Sequence, residues 1–157
     1  NTEGKAFVSL KEKATRYAML DQMGQKYGDR YPQLKNLDKN KMEFFSLTDT
    51  WGTPVEDMTR VLSMNGIEFK EYQEKQMPGI PYDSLHNQLG DWIQAARYAT
   101  EGQIKIGIKA DKDADVDNVK QIIKALTSKD IHRFLLITTL STNTDAAEPA
   151  DAEAKKE

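Results

Sequence analysis

The stretch from Ile104 to Leu140, IKIGIKADKDADVDNVKQIIKALTSKDIHRFLLITTL, decides the fold. From Gln103 to Ala110 the residues alternate, with Ile104, Ile106 and Ile108 on one face of a strand and Lys105, Gly107 and Lys109 on the other. An acidic loop, Asp111 to Asp117, comes next. Val116 to Ser128 then predicts a helix that turns Val119, Ile122, Ile123 and Leu126 to one side. Phe134 to Leu140 predicts a second strand. A strand, a helix and a strand in immediate succession imply a right-handed crossover with the two strands parallel.

Working outward, Tyr82-Asp83-Ser84 leads into a predicted helix that runs to about Thr100, with Leu85, Leu89, Trp92, Ile93 and Ala96 on one face. Before it, Met77 to Pro81 (MPGIP) is barred from helix by its prolines. Thr53-Pro54-Val55-Glu56 reads as a helix start with Thr53 as the cap. Val55, Met58, Val61 and Leu62 form the apolar face, and Asn65-Gly66 is the stop. Lys41 to Leu47 is a short apolar cluster, helical turn or strand. Tyr17, Leu20, Met23 and Tyr27 predict an amphipathic helix over 13–27. Lys5 to Lys11 alternates like a strand that can join the carboxy-terminal sheet. The expected fold class is α+β: a small mixed β-sheet with helices packed on one face and a C-terminal βαβ unit. A single domain spans 1–141, residues 30–82 are an inserted region of helices and loops, and 142–157 is a disordered acidic tail.

Composition narrows the function classes. The chain has 157 residues, 38% hydrophobic and 30% charged, enough for one modest core. Its net charge of -3 sits in the tail, where Asp145, Glu148, Asp151, Glu153 and Glu157 face only Lys155 and Lys156. Taking those from 25 acidic and 22 basic residues leaves a body of 20 and 20. A neutral body without a basic run offers no electrostatic footprint for nucleic acid. The absence of cysteine removes thiol catalysis, disulfides and thiolate metal sites. No apolar run approaches the ~20 residues that span a bilayer. The chain opens at Asn1 without a Met, which suggests a piece excised from an exported or anchored parent.

Spacing nominates no catalytic, cofactor or metal site. Asp111, Asp113, Asp115 and Asp117 alternate as in a calcium loop, but the positions that need Gly and a bidentate Glu hold Val116 and Ile122. Helix capping by Asp115 accounts for them better. His86 and His132 stand without a second ligand at metal spacing, and no GxSxG, HExxH or phosphate-binding glycine loop occurs. The expectation is a protein that is not an enzyme. Trp92 shares helical spacing with Leu89 and Ala96 and is expected in the core; the burial of Trp51 stays open.

The segment Ile104 to Leu140 resembles the end of ExbD/TolR proteins. The matching elements are the alternating strand, Ala110-Asp111, the helix with Val119 to Leu126, a short turn, and a strand that ends in threonine. Asp91 to Arg97 (DWIQAAR) resembles the preceding helix of some members, and Phe7 to Leu10 resembles their first strand after the membrane anchor. Where those proteins place a small residue or Pro and then Tyr before the helix, this chain has Asp115-Val116-Asp117-Asn118. The membrane helix with its proton-handling aspartate lies outside this sequence.

The resemblance implies a periplasmic domain of a single-pass subunit on the Gram-negative inner membrane. Its parent would belong to a proton-motive-force-driven complex with an ExbB-like channel subunit. The domain would act as a homodimer and bind a TonB-like partner that powers outer-membrane transport. Strand addition is the expected mode, with Phe134 to Leu140 as the sheet edge. Ile104, Ile106, Ile108, Phe134, Leu136, Thr138 and Leu140 are the candidate interface. The competing reading is a solute- or peptidoglycan-binding domain using Trp51, Tyr72 and Tyr82.

Overall fold

In the computed structural model, which describes residues 5–111, 115–139 and 148–153, the chain mixes helix and strand. β1 (Val8–Ser9) leads into α1 (Lys13–Tyr27), a turn of 3-10 helix at Pro32–Leu34 and α2 (Lys39–Ser46). β2 (Thr50–Trp51) precedes a second 3-10 turn, Val55–Asp57, that continues into α3 (Met58–Val61). Then come α4 (Gly66–Lys75), α5 (Gln88–Ala99), β3 (Gly107–Asp111), α6 (Val116–Thr127), β4 (Leu135–Thr139) and β5 (Glu148–Glu153).

The main core is helical. α1 buries Met19, Leu20 and Met23, and α5 packs on it with Leu89, Trp92, Ala95 and Ala96. Phe45 of α2 lies between the two tryptophans, stacked on Trp92 at 5.5 Å and edge-on to Trp51 at 5.0 Å. Phe69 of α4 extends the series, 6.4 Å from Trp51. Such aromatic pairs add roughly 0.5–1.5 kcal/mol each beyond their buried area. Trp51 is therefore a core residue, 1% exposed. The stretch 30–82, expected as an insertion, supplies most of this core: Tyr31, Leu34, Val55, Met58, Phe69 and Ile80 are all buried in it.

Several local expectations are overturned. β1 does not join the carboxy-terminal sheet; it pairs antiparallel with β2, Val8 opposite Trp51. Burying Val8 and Trp51 in the helical core outweighs extension of a distant sheet. Asn65-Gly66 opens α4 instead of closing α3. Asn65 Oδ1 accepts from the Glu68 amide at 2.8 Å, and Glu68 Oε1 accepts from the Asn65 amide at 2.9 Å. Thr53 caps nothing: its hydroxyl meets the Tyr72 hydroxyl at 3.0 Å inside the core. The helix expected from Tyr82-Asp83-Ser84 begins at Gln88, because Asn87 Oδ1 accepts from the Gly90 amide. Leu85 lies outside it and is exposed.

A second, smaller cluster of Ile108, Leu126 and Ile131 joins β3 to α6, flanked by Ile106, Ile123 and Phe134. Ile93 and Ile122 touch both clusters. β3 and β4 run parallel with α6 between them in the chain, Gly107 opposite Leu135 and Asp111 opposite Thr139. β5 lies antiparallel along β4, so the sheet order is β3-β4-β5. Two expectations are corrected here. β4 is the central strand, not the edge, because the chain returns beside it. The tail is strand over Glu148–Glu153; the rest of 142–157 lies outside the described residues.

Candidate functional site

The sheet order leaves β3 at one end and β5 at the other. β5 contains Pro149, which has no N–H to offer, together with acidic residues, a composition typical of a guarded edge. β3 has no proline. Gly107 and Lys109 are exposed there, as is Lys105 just before it, while Ile108 beneath is 8% exposed and packs on Leu126. The Leu135 amide donates to Ile106 O at 2.9 Å and extends the β3–β4 pairing toward the chain start.

The expected interface residues divide accordingly. Ile104 is half-buried against the helical core, Ile106 and Phe134 are half-buried against the second cluster, and Ile108 is buried in it. Leu136 lies opposite Ile108 and Thr138 opposite Ala110 in the ladder. Leu140 lies outside the described residues. What β3 can present to a partner is therefore its backbone, its own Lys109 and the adjacent Lys105, not its isoleucines. Asp115 caps α6, its carboxylate accepting from the Asp117 amide at 2.9 Å. Among the described residues no group of three or more potential ligands converges as a metal site.

A second constellation lies where α1, α5 and α6 meet. Asp91 of α5 is fully buried. Its Oδ2 accepts from Arg30 Nη1 and from the Tyr31 hydroxyl, both at 2.5 Å. Lys129 Nζ stands 3.0 Å from Oδ1, a charge contact whose direction falls outside hydrogen-bond geometry. Burial pushes the Tyr31 hydroxyl well above the ordinary phenol range, and the hydrogen bond to Asp91 pushes it the same way. Burial, with the Asp91 charge behind it, raises Tyr27 to about 12. Sequence reasoning passed over Asp91. The only signal was an acid beside Trp92 in an otherwise apolar helical stretch; its partners lie far away in the chain.

Two features bear on ligand binding. A groove of about 520 Å³ lies between α2 and α4, lined by Phe44, Leu47, Asp49, Gly66, Phe69 and Lys70 among others. In the turn before α5, Asp83 Oδ1 accepts from the amides of His86 (2.7 Å) and Leu85 (3.0 Å), which holds its carboxyl below the usual range and displays Leu85, 85% exposed. Of the aromatic residues considered for a ligand surface, Trp51 and Tyr72 are buried.

No helix among the described residues is long and apolar enough to cross a membrane. No family model matches the chain, and neither the curated proteins nor the solved structures contain a match to it.

Proposed function

We propose that this chain is the periplasmic interaction domain of an ExbD/TolR-like inner-membrane subunit, which binds a TonB-like partner by strand addition at β3. In this reading β3, α6 and β4 are the βαβ unit of that family, and the domain works as a homodimer. The ExbB-like channel meets the parent's membrane helix. The observation that carries the reading is the placement of β3 at the end of the sheet order, with Lys109 exposed on it and Lys105 exposed just before it. A strand in that position offers a row of backbone donors and acceptors to an extended peptide. The lysines discourage indiscriminate pairing and favour a partner whose charges match them. The alternative, a solute- or peptidoglycan-binding domain built on Trp51, Tyr72 and Tyr82, loses support because two of those three side chains are buried.

The test is a titration of the ¹⁵N-labelled chain with peptides from the periplasmic linker of a TonB-like protein. Amide shifts confined to residues 105–111 are the expected result. A folded chain that shows no shift there at millimolar peptide overturns the proposal.

A further inference from the structure

We propose that Asp91 and Lys129 form a latch that holds the strand-bearing unit of residues 103–139 against the helical body and sets how often that unit swings free. The inference does not depend on the transport reading.

Four positions fall on one stripe at helical spacing, the cap Asn87 and, within α5, Gly90, Asp91 and Gln94. All four face the carboxy-terminal end of α6. Asn87 Nδ2 donates to Ala125 O at 2.9 Å and to Ser128 Oγ at 3.2 Å. Gln94 Nε2 donates to Lys129 O at 3.0 Å. Gly90 lets the Lys129 stem pass, since a Cβ there would stand 2.7 Å from Lys129 Cγ. Lys129 Nζ then reaches Asp91. This end of the junction is polar, and polar junctions within a chain allow relative motion of the parts they join. The apolar part of the junction is small, made by Ile93 of α5 with Ile104 and Ile122 of the unit. The chain enters the unit through Glu101 (φ 56°) and Gly102 (φ 80°), two successive left-handed residues that form a tight turn.

The asymmetry of Asp91 makes it a latch and not merely a brace. Its Oδ2 is held by Arg30 and Tyr31, both within the helical body, whereas Oδ1 meets the unit through charge alone. When Lys129 leaves, the carboxylate keeps a cation and a hydroxyl, so the large penalty for an unpaired buried charge does not arise. Lys129 in turn is partly exposed and rehydrates easily. The open state is therefore accessible without unfolding either part.

Native-state hydrogen exchange on the full chain tests this, with Lys129→Met keeping the stem over Gly90 and deleting the charge. Opening is expected to speed exchange of the α6 amides by about tenfold, with α1 amides unchanged, because a hydrogen bond or contact to a charged group carries about that factor. Lys129→Arg is expected to restore protection in α6. Equal acceleration in α1 and α6, or no acceleration in α6, overturns the proposal. Failure of Lys129→Arg to restore protection assigns the effect to lost packing and overturns it as well.

Discussion

Tyr27, Tyr31 and Asp91 show how a buried charge reaches beyond its own hydrogen bonds. Tyr27 is half-buried and its hydroxyl is raised to about 12, first by burial and then by the Asp91 charge. In the unfolded chain the same phenol ionises near its ordinary 10.0. Between those values the unfolded state gives up a proton that the folded state keeps. The contribution of Tyr27 to stability is thus complete below pH about 10 and is lost as pH rises toward about 12. Urea unfolding from pH 8.5 upward should therefore show a midpoint that falls more steeply for the native chain than for Tyr27→Phe. Parallel curves for the two would exclude this linkage. None of it was legible in the sequence, where Tyr27 reads as one more residue on an amphipathic face. The partners of Asp91 come from the turn after α1 and the turn after α6, and no local pattern joins them.

Among the elements, α4 depends most clearly on one side chain. Asn65 and Glu68 satisfy each other's amides at its start, and Phe69 then carries the helix onto α2, edge-on to Phe44 at 5.0 Å. Asn65→Ala removes one bond and leaves Glu68 to fray, at a cost of about 1 kcal/mol. A urea midpoint unchanged by Asn65→Ala would show that tertiary packing alone holds α4. The sequence contained this signal: Asn followed three residues later by Glu is a capping box. Asn-Gly is also a common stop, and a preceding apolar run gave that meaning precedence. α1 and α6 were readable because their apolar residues recur at steps of three and four, whereas the two-residue strands β1 and β2 leave no periodic trace. Their pairing joins positions more than forty residues apart and is decided by the core they close, with Trp51 and Val8 both buried.

The whole molecule divides into a helical body, whose core runs from Ala6 to Ala96, and a sheet-bearing unit with its own small cluster. The second was legible as strand, helix and strand because its pattern is local. Of the first, α1 and the core face of α5 were legible, but the middle was not, because prolines in 30–88 read as loop while the aromatic residues between them gather only in three dimensions. The least foreseeable feature is β5, whose composition of Glu, Pro, Ala and Asp argues against any strand. It pairs because β4 otherwise ends the sheet as an open row of backbone groups, and an edge strand tolerates Pro149 where a central one would not. A chain ending at residue 141 removes this cover while leaving the helical body intact. β4 should then pair with a second copy, so sedimentation velocity should show a concentration-dependent rise in mass beyond that of the full chain. Helical circular dichroism should stay the same in both. Equal masses across the concentration range would mean that β5 is dispensable as a cover and that β4 resists pairing by itself.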